Sequence, residues 1–246
     1  MKKILFSLVA FFALATSASA QCRKVYQNGQ LKAIYYVSKD DRVEFSDDFP
    51  FPDGKDNMEN GHEYVDLGLS VKWATCNVGV EKPEDYGDYY AWGETQTKSF
   101  YDWSTYLDSP NRDGKSFTKY NNNGGKTQLL PEDDVAHVKW KGTWRMPTKA
   151  EQDELQEQCT WTWTSQGGKN GYKVTSKKNG NSIFLPAAGW RGDGELSNAG
   201  SDGNYWSSSL NPNYDFNAFG LYFDSGGWNW GYGLRLYGHS VRAVCP

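Results

Sequence analysis

The 246-residue chain is poor in the residues that build metal centres. It has 3 histidines and 4 cysteines, Cys22, Cys76, Cys159 and Cys245, and no two of the cysteines are close in sequence. Structural zinc sites need Cys and His at short spacings, so neither a metal nor any other cofactor is expected. An excess of positive charge is also missing: 26 Lys and Arg against 30 Asp and Glu give a formal net charge of -4. A surface that tracks phosphates needs the opposite balance, which argues against a nucleic-acid partner. Beyond the first residues no apolar run is long enough to span a bilayer, so no transmembrane segment is expected.

The first residues specify a compartment. "MKKILFSLVAFFALATSASA" has Lys2 and Lys3, an apolar stretch from Ile4, and the small-residue pattern Ala18-Ser19-Ala20. This reads as a bacterial secretory signal, residues 1–20, cleaved after Ala20. Gln21 precedes Cys22 where a lipoprotein signal has Gly or Ala, which disfavours a lipid anchor at Cys22. The protein is therefore expected to be secreted, periplasmic or held at the cell surface. Cysteines in an exported chain form disulfides more readily than metal sites, and their spacing leaves every pairing open.

What the chain has in quantity is aromatic: 11 Trp, 16 Tyr and 12 Phe. Mean hydropathy is only -0.76, but disordered chains are poor in aromatics, so this one should fold. Residues 21–46 read as short strands about the Asn28-Gly29 turn. Residues 47–61, rich in Pro, Asp, Asn and Gly, read as a linker to a main domain over 62–246. Within it, Pro131 and the acids after it mark a short helix. Thr148 and Glu151 form an S/T-x-x-E capping box ahead of a longer helix reaching Cys159. A hairpin is expected about Asn179-Gly180. Helices among irregular antiparallel strands make the fold class α+β. From Leu196 onward Lys, Glu, Gln, Met and Ile vanish, while Asn, Gly, Ser and aromatics accumulate.

The segments "VDLGLSVKWATCNVG", "YYAWGET", "WRMPTKAEQDEL", "SIFLPAAG", "YWSSS" and "GHSVRAVC" occur in that order. On these the chain resembles the major paralogous domain family of secreted bacterial proteins. Their fold is similar to that of C-type lectins and formylglycine-generating enzymes. The resemblance implies a C-type-lectin-like domain over 62–246, with short antiparallel strands, one or two helices and long loops. It further implies a Cys159–Cys245 bridge between the helix end and the last strand, which leaves Cys22 to pair with Cys76. The calcium ligands of sugar-binding C-type lectins are not matched, since Asn211-Pro212-Asn213 lacks the acid. The paired catalytic cysteines of the formylglycine-generating enzymes are not matched either, because only Cys245 stands late in the chain. Related lectin-fold proteins include the targets of diversity-generating retroelements. Residues 210–239 suit their codon alphabet except at Trp228 and Trp230.

Candidate chemistry is thin. "DSGG" at 224–227 looks like a serine-protease nucleophile, but Phe223 replaces the usual glycine and a hairpin turn explains it better. "RGD" at 191–193 reads as a turn. No enzymatic constellation emerges. Trp92, Trp103, Trp140, Trp144, Trp161, Trp163 and Trp206 sit in patterned segments and are expected in the core. In "SGGWNWGYGLRLYGH", alternation predicts a strand, while Gly226, Gly227, Gly231, Gly233 and Gly238 are expected to loosen it and expose one rim. The candidate ligand-binding residues are Asn213, Tyr214, Asp215, Asn217, Trp228, Asn229, Trp230, Tyr232, Arg235 and Tyr237, because Tyr, Trp and Asn with an occasional Arg make adaptable binding surfaces. The expected function is non-enzymatic ligand binding or adhesion, with a protein or cell-surface partner. A calcium-independent carbohydrate-binding module is the alternative, and a secreted hydrolase is the rival class.

Overall fold

The capping box of Thr148 and Glu151 is made in both directions. Thr148 Oγ1 accepts from the Glu151 N–H at 3.2 Å, and the Glu151 carboxylate accepts from the Thr148 N–H at 2.8 Å. These bonds satisfy two of the donors that a helix start leaves open. The computed structural model describes residues 21–27, 30–37 and 57–246, the first two stretches and Trp230 as backbone only. The chain forms two compact units, Met1–Gly54 and Lys55–Pro246.

In the first unit β1 (Gln21–Gln27) pairs antiparallel with β2 (Gln30–Val37) across the Asn28-Gly29 position. The second unit begins with β3 (Met58–Glu59), β4 (His62–Val65) and β5 (Lys72–Ala74). Residues 75–134 then run without a longer element, apart from 3-10 turns at Trp103–Thr105 and Pro131–Asp133. The helices are α1 (Val135–Trp140), capped by Asp134, and α2 (Lys149–Gln158). Next come the hairpin β6 (Cys159–Gln166) and β7 (Lys169–Ser176), then β8 (Ser182–Pro186) beyond the Asn179-Gly180 turn. In the small hairpin of β9 (Trp190–Gly192) and β10 (Glu195–Ser197), Arg191 and Gly192 of the "RGD" text are strand residues and only Asp193 stands in the turn. β11 (Gly203–Leu210), β12 (Asn217–Asp224) and β13 (Gly227–Leu234) form a three-stranded sheet in that order. The final strand, β14 (Val244–Cys245), pairs with β5 and completes the order β14-β5-β4-β3. The architecture is α+β: short antiparallel strands, two helices and an N-terminal hairpin.

The long irregular segment is held by the polar ends of buried aromatics. Trp92 Nε1 donates to the Ser207 carbonyl at 2.8 Å, and Trp206 Nε1 to the Tyr90 carbonyl at 2.9 Å. The hydroxyls of Tyr89, Tyr101 and Tyr106 donate to the carbonyls of Ala188, Tyr89 and Trp92 at 2.6–2.7 Å. Such bonds answer the backbone groups that a buried loop would otherwise strand. Of the tryptophans expected in the core, Trp92, Trp140, Trp144 and Trp206 are buried, whereas Trp103, Trp161 and Trp163 are half-buried.

Cys76, Cys159 and Cys245 are buried free thiols, so the Cys159–Cys245 bridge implied by the resemblance is not formed in this structure. The two residues also sit in different apolar clusters, Cys159 beside Leu155 and Val174, and Cys245 beside Ala243 and Trp144. The side chain of Cys22 lies outside the described residues, and with it the pairing to Cys76.

Candidate binding site: the rim of the C-terminal sheet

The strand expected from the alternation is β13. Its outer edge is unpaired, because the sheet order ends there among the described residues. The turn joining it to β12 is the "DSGG" text: Asp224 lies opposite Gly227, and the Asp224 carboxylate accepts from the Gly226 N–H at 2.7 Å. A side chain engaged in its own turn explains the motif without any nucleophile.

The glycines of β13 do not loosen the strand, contrary to expectation. Gly220, Gly231 and Gly233 share one face of the sheet and make room for the ring of Tyr222. A Cβ at Gly233 would stand 2.6 Å from the Tyr222 hydroxyl oxygen, and one at Gly231 would stand 3.1 Å from its ring. Gly238 is likewise covered by Tyr101, at 2.7 Å from a would-be Cβ. These positions are glycine because an aromatic occupies the side-chain space.

The opposite face carries the exposed aromatics. Tyr232 lies across from Phe219 of β12 and is 52% exposed. Tyr214, 49% exposed, stands on the loop between β11 and β12, and Phe216 on the same loop is 37% exposed. Their rings gather: Tyr214 lies 5.6 Å from Phe216 and 6.2 Å from Tyr232, centroid to centroid. The loop that presents them is firmly held. The buried Asn211 side chain accepts from the N–H groups of Asn213 and Tyr214 at 2.9 and 3.3 Å. Asn217 closes the loop, its N–H donating to the Tyr214 carbonyl at 3.0 Å.

Arg235 has a different role from the one its sequence context suggests. It is fully buried. Its guanidinium donates to Asp108 Oδ2 at 2.5 Å, to the Tyr106 hydroxyl at 2.8 Å, and to the carbonyls of Tyr120 and Asp215 at 2.9 Å. The group also lies 4.3 Å from the Phe117 ring centroid and 4.8 Å from that of Trp92. Burial alone would raise the Asp108 carboxyl. Hydrogen bonds from Thr118, the Lys119 N–H and Arg235 outweigh it and hold the carboxyl below its ordinary value. Arg235 is a support and not a surface group: its bond to the Asp215 carbonyl and its N–H bond to the Phe216 carbonyl tie down the segment bearing Tyr214.

The other candidates divide in the same way. Asn213, Asn229 and Trp228 are exposed, Trp228 at 40%, with its ring 6.0 Å from Trp161. Asp215 is half-buried, Asn217 is buried, and Tyr237 is half-buried with its ring 4.7 Å from that of Trp190. The side chain of Trp230 lies outside the described ones. Phe216, an aromatic amid Gly and Asn in the sequence but not among the candidate binding residues, joins the exposed group.

Behind the rim, His239 is buried against Trp206, ring centroids 4.0 Å apart, and Nδ1 has no partner among the described residues. Burial pushes its pKa down to about 3, so the ring is neutral. Among the described residues no group of three or more His, Cys, Asp and Glu is placed to hold a metal ion. No family model, no curated protein and no solved structure matches this chain.

Proposed function

We propose that this chain is an exported, non-enzymatic ligand-binding or adhesion protein of the major paralogous domain type, with a C-type-lectin-like fold. Its ligand is a protein or another cell-surface structure, engaged through the rim of the C-terminal sheet. The observation that carries this reading is the cluster of Tyr214, Phe216 and Tyr232. Each ring is more than a third exposed, and Tyr214 and Phe216, on a loop held by Asn211 and Arg235, gather with Tyr232 of β13. Rigid aromatics on a fixed support supply contact area at low entropic cost, and such residues dominate interface energies. The fold assignment is supported by the α+β architecture, by α2 running straight into β6, and by the last strand, β14, pairing with the early strand β5. Exposed Asn213, Tyr214, Asn229 and Tyr232 also suit the codon alphabet of a retroelement-diversified surface, whereas Trp228 does not.

The test is photo-crosslinking in the secreting cell's own surroundings. A benzoyl-phenylalanine placed at Tyr232 should yield discrete adducts with exported or surface proteins. The same probe at Lys177, exposed between β7 and β8, should not. Equal adducts at both positions, or none at Tyr232, would overturn the assignment.

A further inference from the structure

Away from the Tyr214 cluster, an open cleft of about 630 Å³ lies among the β6–β7 hairpin, the loop at 200–202 and the β12–β13 turn. That volume is within the roughly 300–1,000 Å³ usual for small-ligand sites. One wall is Trp163, half-buried and backed by Tyr172 at 5.1 Å and Phe223 at 6.4 Å, both edge-on. These T-shaped contacts hold the indole at a steep angle to both neighbours.

The remaining walls are polar, and each side chain is oriented by a bond at one atom that leaves another available. Asn170 Nδ2 donates to the Gly200 carbonyl at 3.0 Å, and Oδ1 has no partner among the described residues. Asp202 Oδ2 accepts from Asn198 at 2.7 Å, and Asp224 Oδ1 from the Gly226 N–H at 2.7 Å, so each carboxylate keeps its second oxygen without a protein partner among the described residues. The hydroxyls of Ser201 and Ser225 complete the lining. No cation lines the cleft. The nearby Lys169 turns instead to Asp85, at 3.3 Å, and to the Tyr86 ring, at 4.4 Å.

We propose that this cleft is a metal-independent binding site for a neutral carbohydrate. A sugar ring presents an apolar C–H face and a rim of hydroxyl donors. Trp163 matches the face, and Asp202, Asp224 and Asn170 match the rim with acceptors. Two uncompensated carboxylates repel phosphorylated, sulfated or uronic ligands, which restricts the class to uncharged sugars. The site stands independently of the aromatic rim, with which it shares none of Tyr214, Phe216 and Tyr232.

Intrinsic tryptophan fluorescence tests this on the full chain, with a panel of neutral gluco-, manno-, xylo- and galacto-oligosaccharides and with sulfated and uronic counterparts. At least one neutral member should give a saturable change, and its Kd should not move on adding EDTA or calcium. Trp163→Ala should weaken it about tenfold or more, the loss of roughly one stacked contact. Because Trp163 also packs on Tyr172, Asp202→Asn with Asp224→Asn serves as a second variant at exposed or half-buried positions, and it should weaken binding about as much. Tyr214→Ser with Tyr232→Ser should leave sugar binding unchanged, so failure of the rim reading and failure of this one are separable. No saturation by any neutral sugar up to about 10 mM, binding that survives both cleft variants, binding that needs calcium, or preference for anionic sugars would each overturn the proposal.

Discussion

Two populations of aromatic residues do opposite work in this molecule. The rings of Trp92, Trp206 and Tyr106 are fully buried, and the polar end of each meets a backbone carbonyl. Around Tyr214 and Tyr232 half of each side chain faces solvent, and neither hydroxyl has a partner among the described residues. The first group replaces the regular hydrogen bonding that residues 75–134 lack, so the loops are structural because the aromatics stitch them. The second group stabilises little and is free to contact something else. Residue type alone does not separate the two; the polar atom's partner does.

The largest effects should come from the buried group. Trp206→Ala removes a fully buried ring and one of the two hydrogen bonds to the Tyr90 carbonyl, leaving only the one from the His239 N–H. It should cost about 3–5 kcal/mol, measured by urea unfolding. Arg235→Ala should cost a similar amount, about 3–5 kcal/mol, because Asp108 would keep a partly buried charge without its partner. It should also raise hydrogen exchange in residues 211–217. A loss under about 1 kcal/mol for either variant would break the contrast.

Acid should sharpen it next. His239 is neutral when folded, with a pKa near 3, whereas in the unfolded chain it takes up a proton near pH 6.5. Below pH 6.5 the unfolded state therefore binds more protons. This contribution to stability is intact above pH 6.5 and is lost as pH falls, by up to about 1.4 kcal/mol per pH unit. Unfolding free energies between pH 6.5 and 5 should show that slope. His239→Phe, which keeps a flat ring against Trp206 and cannot titrate, should flatten it. An equal slope in both proteins would contradict the assignment.

The buried thiols should respond through rate. Burial pushes Cys159 and Cys245 up to about 11, so little thiolate forms at pH 8. Iodoacetamide should leave both unmodified in the native protein and label both in urea. Rapid native labelling would contradict their burial. A disulfide-linked Cys159–Cys245 peptide in non-reducing digests would instead restore the pairing that the family resemblance implies.

How far this was legible in the sequence depended on the range of the interaction. The Thr148–Glu151 box and the hairpin about Asn179-Gly180 are local, and each is present where its signature stands. The alternation of 228–236 correctly indicated β13. The glycines misled, because their meaning lies in Tyr222, which comes from another strand. Arg235 misled for a related reason. A charge at an alternating position reads as solvent-facing, and its partners Asp108, Tyr106 and Tyr120 are more than a hundred residues away. The cleft was invisible, since Trp163, Asn170, Asp202 and Asp224 share no motif and meet only when two sheets are in place.

The smallest effect on stability is also the most direct test. Tyr214→Ser combined with Tyr232→Ser removes the two most exposed rings of the cluster and nothing from the core. Exposed substitutions usually change stability by less than about 0.5 kcal/mol each, and about 1 kcal/mol moves the melting temperature of a domain of this size by roughly 2–4 °C. A thermal melt of the double variant beside the parent should therefore show a shift of no more than about 4 °C. A fall of more than about 10 °C, the scale expected for core truncation, would place these rings with Trp92 and Trp206 and remove the binding rim from the account.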